Sequence, residues 1–129
     1  MKQAIINGIV HTGEGIIHNG VVIIENDTII SVQKEIPNDI PQIDLKGKHI
    51  AAGFIDIQIN GGEQFYFSQY PNEETIQDIH DSSLKYGTTH TLPCLISSSN
   101  ETILQGIEAI RNYKEKHKNG VLGMHLEGP

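Results

Sequence analysis

Glu127 and His125 stand two residues apart in the sequence. In an extended segment that spacing puts a carboxylate and an imidazole on one face. An oxygen and a nitrogen donor so placed suit a divalent cation. A second polar set, Asp56, Gln58 and Asn60, shows the same alternation, with Ile55, Ile57 and Ile59 on the opposite face. A central strand of a doubly wound sheet is apolar on both faces, so three polar residues on one face need a cause. Each set also has a plainer reading. Glu127 alone reads as a solvated or salt-bridged strand end, His125 as a hydrogen-bonded residue near a barrel floor, and Asp56 to Asn60 as a polar edge entering a turn. Two such faces in one chain, each at the carboxyl end of its strand, weaken the plainer readings without removing them.

Other residues point less sharply to chemistry. Cys94 is the single cysteine and has no CxxC partner, so it reads as a small buried residue rather than a nucleophile. Gly61-Gly62 is too short for a phosphate-cradling fingerprint. His11, His18, His49 and His117 fall in turns or on a polar helix end, and His80 lies on a helix without a ligand-spaced partner. His90 faces inward or packs structurally, early in a strand. Phe65-Tyr66-Phe67 with Tyr70 either walls the mouth of a site or packs on the N-terminal β unit.

The elements that must position these residues follow from pattern. Ala4 to Val10, Val21 to Glu25 and Thr28 to Gln33 read as strands, with Asn26-Asp27 as a hairpin turn and Gln42 to Leu45 as a short extended piece. They make a small antiparallel β unit. Near residue 51 the texture changes to strand, helix, strand, helix, strand. Phe54 to Asn60 is the first strand, and Asn72 caps a helix with Ile76, Ile79 and Leu84 inward and Gly87 at its end. Thr88 to Ile96 is the second strand. Ser98 with Glu101 resembles a capping box, after which Ile103, Ile107 and Ile110 mark one helix face. Val121 to Glu127 is the third strand. The βαβαβ order predicts an α/β fold with a parallel sheet. Polar residues at the carboxyl ends of its strands fit the mouth of a (β/α)8 barrel, whose active sites lie there.

Composition bounds the partners. Nine Lys and Arg against sixteen Asp and Glu give a net charge of −7, which argues against a general grip on nucleic-acid phosphates. No apolar run approaches the roughly 20 residues that cross a bilayer. No signal peptide is evident, and a lone cysteine fits a reducing compartment, so a cytoplasmic protein is expected.

Three blocks carry a resemblance. They are Gly53-Phe54-Ile55-Asp56-Ile57-Gln58-Ile59-Asn60-Gly61, Gly87-Thr88-Thr89 with Leu92-Pro93 and Leu95-Ile96, and Leu122-Gly123-Met124-His125-Leu126-Glu127-Gly128-Pro129. In this order they resemble the N-acetylglucosamine-6-phosphate deacetylase family of the amidohydrolase superfamily. Residues 1–51 match in character as the N-terminal part of a β-sandwich domain, and residues 52–129 as the start of an incomplete (β/α)8 TIM-type metal-dependent hydrolase barrel. The resemblance implies one divalent metal ion, zinc or iron, with Glu127 as a ligand. It places Gln58, Asn60 and His125 in substrate-binding or supporting positions around the metal, Gln58 against water rather than the ion. It also implies a phosphorylated amino-sugar substrate and a homodimer. An aspartate that moves the proton and two further histidine ligands are expected beyond residue 129. A barrel takes roughly 250 residues, so 129 supply parts of two incomplete domains.

The alternatives are another amidohydrolase, such as an N-acetylgalactosamine-6-phosphate deacetylase, a cyclic-amide hydrolase or a deaminase. A non-catalytic α/β binding module is a further one.

Overall fold

The computed structural model describes residues 1–128; Pro129, the last residue of the third block, lies outside the described residues. The chain divides into two compact units, Met1–Ala52 and a second from Gly53 onward.

The first unit is one sheet built on two long strands, β1 (Lys2–Thr12) and β2 (Gly15–Glu25), paired as an antiparallel hairpin. β3 (Thr28–Gln33) continues the meander through Asn26, whose φ of 54° suits a residue tolerant of the left-handed region. The sheet is mixed rather than purely antiparallel. β4 (Gln42–Asp44) and β5 (His49–Ile50) both lie parallel to β1, on Ala4 to Ile6 and on Ile9 and Val10. Pro37 and Pro41 break the chain before β4, so it crosses the sheet instead of turning straight back. Between β4 and β5 the chain turns at Lys46 and Gly47, both at positive φ, and the Asp44 carboxylate accepts from the Lys46 amide at 2.8 Å. Ala4, Ile6, Val21 and Ile23 form its core, with Ile40 against them. The histidines expected in turns lie instead in strands. His11 on β1 and His49 on β5 stack and share a 2.7 Å nitrogen-to-nitrogen hydrogen bond, because parallel pairing brings the two strands side by side.

The second unit alternates β6 (Phe54–Ile59), α1 (Glu73–Leu84), β7 (Thr88–Ile96), α2 (Asn100–Lys116) and β8 (His125–Glu127). The three strands are parallel in the order β6-β7-β8. Phe67, Ile76, Ile79, Leu95, Ala109, Ile110, Tyr113 and Val121 make its core, and Ile59, Ile103 and Met124 pack on it.

Local chemistry explains these helices. Asn72 caps α1 by accepting from the Thr75 amide at 2.9 Å, and Glu73 and Glu74 lie in the first turn, where the dipole favours them. Asn72→Ala is expected to lower stability by about 1 kcal/mol, read by circular-dichroism melts. Leu84 is exposed because the buried stripe of α1 runs through Thr75, Ile76, Ile79, Ser82 and Ser83. The cap of α2 is Ser99 rather than Ser98. The Ser99 hydroxyl accepts from the Thr102 amide at 3.2 Å and pairs with the Thr102 hydroxyl at 2.9 Å, satisfying both side chains together.

The buried stripe of α2 is Gly106, Ala109, Ile110 and Tyr113, with Ile107 exposed. Small residues mark the closest approach: a Cβ on Gly106 would lie 2.7 Å from Leu95 and 3.2 Å from the Met124 sulfur. β8 is shorter than the expected Val121 to Glu127. Val121 still bridges Thr91, and the Leu122 amide donates to the Thr91 carbonyl at 3.0 Å, but the ladder lapses at Gly123 and Met124; the Leu122 carbonyl takes the Lys114 ammonium at 2.6 Å. Ile55 and Ile57 are not packed under helices as the barrel pattern predicts; they are 57% and 67% exposed on β6, an edge strand of this three-stranded sheet.

Candidate active site at the strand ends

The carboxyl ends of β6, β7 and β8 converge on Glu127. Parallel pairing sets Ile96 beside Glu127 and Cys94 beside His125. Gln58 projects from β6 past β7, and its amide donates to Glu127 Oε2 at 2.9 Å. Cys94 on β7 donates its thiol to the same oxygen at 3.3 Å. Ser97 donates to the Glu127 backbone carbonyl at 3.3 Å. Asp56 turns inward on its own strand, accepting from the Gln58 amide N–H at 3.0 Å.

His125 takes a different part. Its Nδ1 lies 3.0 Å from the Ile57 carbonyl, which only accepts, so Nδ1 carries the proton. In the neutral ring Nε2 then keeps its lone pair. Like Gln58, it spans from β8 to β6 across the middle strand.

The segment after β6 forms one wall. Gly61 bridges Tyr66, and Phe67 donates its amide to the Asn60 carbonyl at 2.8 Å. The Ser68 hydroxyl donates to the Cys94 carbonyl at 3.3 Å and accepts from the Ile96 amide at 3.0 Å, clipping the segment to the end of β7. Asp78 on α1 holds its start by accepting from the Gln64 and Phe65 amides at 2.9 and 3.0 Å. Asp78→Ala would leave both amides unpaired, so their hydrogen exchange should accelerate by about 5- to 150-fold, for about 1–3 kcal/mol lost; exchange at Gln64 and Phe65 unchanged from wild type would contradict this. The aromatic cluster is divided between roles. Tyr66 is 64% exposed on the wall, Phe67 is in the core, and Phe65 meets Tyr70 edge to face.

Together Asn60, Tyr66, Ser68, Gln69, Ile96 and Glu127 line a cleft of about 550 Å³. Three of the four residues expected from sequence thus stand together: Gln58 bonded to Glu127, and Asn60 with Glu127 on the cleft. His125 is tied to the β6 backbone instead. Cys94, Ser68 and Gln69 carried no readable signal. A thiol in an apolar strand and polar residues in a loop acquire their places only once β7 lies between β6 and β8.

Burial pushes the Cys94 thiol up, and the Glu127 carboxylate pushes it the same way, against a smaller downward pull from the Gln58 amide. It therefore acts as a protonated donor. As a cation site, the donor set fits at one position only. Glu127 Oε1 accepts no hydrogen bond from the described residues, and a carboxylate oxygen is a suitable ligand for a divalent ion. Among the described residues no three His, Cys, Asp or Glu side chains form a ligand group. Also among them, no helix is long and apolar enough to cross a membrane.

Comparison with known proteins follows the same line. Residues 3–50 match the NagA composite domain. N-acetylglucosamine-6-phosphate deacetylase of Haemophilus influenzae is 38% identical over 131 aligned residues, covering all of this chain and 34% of that protein. N-acetylglucosamine-6-phosphate deacetylase of Homo sapiens is 37% identical over 89 residues, covering 67% of this chain and 22% of that protein. The fold agrees. The crystal structure of N-acetylglucosamine-6-phosphate deacetylase from Pasteurella multocida superposes with a TM-score of 0.93 at 30% identity, over all of this chain and 35% of that one. N-acetylgalactosamine-6-phosphate deacetylase of Shewanella sp. (strain ANA-3) is 31% identical over 99 residues, covering 77% of this chain and 25% of that protein. The matches span between 22% and 34% of the length of the curated relatives.

Proposed function

We propose that the chain serves as the N-terminal third of a metal-dependent deacetylase that converts N-acetylglucosamine 6-phosphate to glucosamine 6-phosphate and acetate. The observation that carries this reading is the carboxylate of Glu127, held at the mouth of a parallel sheet in a chain that matches such deacetylases along its whole length. In this reading the second unit opens a (β/α)8 barrel and the first is part of a β-sandwich domain. Glu127 Oε1 is one ligand to a single divalent ion, zinc or iron. The ion supplies Lewis-acid polarisation of the acetamide carbonyl.

The chain's own residues bind and orient. Asn60 presents an amide to the sugar in the cleft, Gln58 steadies Glu127, and His125 fixes β8 against β6. The proton-transferring aspartate and the remaining ligands come from outside residues 1–129. A phosphorylated substrate fits a cytoplasmic enzyme, and sedimentation of the full-length product tests the homodimer that goes with this reading.

The test is acetate release by the full-length gene product, supplied with zinc or iron, from N-acetylglucosamine 6-phosphate. Chelator-sensitive turnover is expected; an inert, metal-replete protein would overturn the reading. The match to the Shewanella enzyme supports N-acetylgalactosamine 6-phosphate as the second candidate substrate. The ratio of kcat/KM for the two epimers decides between them.

A further inference from the structure

Both hydrogen bonds to the Glu127 carboxylate fall on one oxygen. Gln58 Nε2 lies 2.9 Å from Oε2 and Cys94 Sγ 3.3 Å from it. A carboxylate oxygen has two lone-pair directions, so these donors occupy both. Oε1 is left with none from the described residues.

The donors come from two different strands. Gln58 reaches across from β6, while Cys94 is fully buried on β7, between β6 and β8. The backbone beneath the carboxylate is also fixed, by the ladder to Ile96 and by the Ser97 hydroxyl on the Glu127 carbonyl. Ser68 bonds the Cys94 carbonyl and the Ile96 amide, so the thiol has a rigid base.

We propose that Gln58 and Cys94 form a two-donor clamp that turns Glu127 so that Oε1 alone is offered to a cation, which makes Cys94 a positioning residue. The inference rests on the deacetylase reading above and deepens it. Glu127 then binds through one oxygen, because two-oxygen binding would require Oε2 to give up both donors. Gln58 gives one of its two amide hydrogens to Glu127. Core filling alone would ask of Cys94 only its volume, whereas the clamp asks for its hydrogen.

Two substitutions of nearly equal volume separate these demands. Cys94→Val removes the donor, and Cys94→Thr restores one as a hydroxyl. In the full-length gene product, stripped with chelator and titrated with zinc by calorimetry, Cys94→Val should bind about 10- to 100-fold more weakly than wild type. Cys94→Thr should stay within about threefold of wild type, since a hydroxyl donor replaces the thiol. Equal zinc affinity in the two variants would overturn the clamp.

A second measurement needs neither turnover nor zinc. The infrared difference between wild type and Cys94→Thr isolates the S–H stretch of Cys94. In a Glu127→Gln background that band should move to higher frequency, because an amide oxygen is a weaker acceptor than a carboxylate. An unmoved band would overturn the proposal even if Cys94→Val fails to fold. A full-length product that releases no acetate but shows the band shift and the Val-to-Thr difference would remove the deacetylase reading and leave the clamp standing.

Discussion

If the chain belongs to the proposed deacetylase, Glu127→Gln in the full-length gene product is expected to lower kcat for acetate release on the order of a thousandfold, equivalent to the several kcal/mol that Lewis-acid assistance contributes. The substitution keeps the shape of the side chain and removes its charge. A neutral amide is a poor ligand, and its nitrogen cannot accept from either Gln58 or Cys94, whose hydrogens meet at one oxygen in the native site. Bound metal, measured by elemental analysis after dialysis, should fall with activity. Glu127→Asp separates charge from reach. It keeps the carboxylate but shortens it by one methylene, drawing it away from both donors, and should lie between wild type and Glu127→Gln. Full activity in Glu127→Gln would remove Glu127 from the metal site.

Phe67→Ala carries the largest expected cost to stability, about 3–5 kcal/mol. Phe67 is fully buried among Ile76, Leu95 and Ala109, and its ring sits where Gly106 lets α2 approach. Truncation leaves a cavity that α2 cannot fill without losing its seat on Leu95. A domain has only about 5–15 kcal/mol to spare, so the denaturation midpoint should fall steeply. Circular dichroism of the helices reads it, since the chain has no tryptophan. Phe67→Leu should cost less, because it refills much of the space. A midpoint for Phe67→Ala within experimental error of wild type would refute the packing argument. The Phe67 backbone amide, which donates to the Asn60 carbonyl at 2.8 Å, survives in alanine, so the cost falls on packing.

The sequence and the structure agree best where local rules dominate. Asn72 was readable as a cap because its side chain and the Thr75 amide are three residues apart. The span of β7, Thr88–Ile96, follows from its apolar run between Gly87 and the serines. The alternation from Asp56 to Asn60 marks the end of β6, where Gln58 bonds Glu127 and Asn60 lines the cleft. What escaped depends on contacts distant in sequence. Hydrophobicity nominated Ile107 for the inner face of α2, but close approach at Gly106 rotated the buried stripe away from it. Parallel pairing of β4 and β5 with β1 left no local mark, and Cys94 gained a partner only when β8 arrived 33 residues later. Spacing set His125 on the face of Glu127, but its bond to the Ile57 carbonyl, 68 residues away in sequence, left no local mark.

The two bonds that cross from β8 to β6 have a mechanical meaning. These strands are not neighbours, yet His125 is tied to the Ile57 carbonyl and Glu127 to Gln58, both over the top of β7. They act as a cord across a bow, drawing the outer strands together at one end and holding the curl of the sheet there. The groups that shape the candidate site therefore also tie the two outer strands to each other at that end, and cutting either tie would leave β6 and β8 joined there by one bond among the described residues.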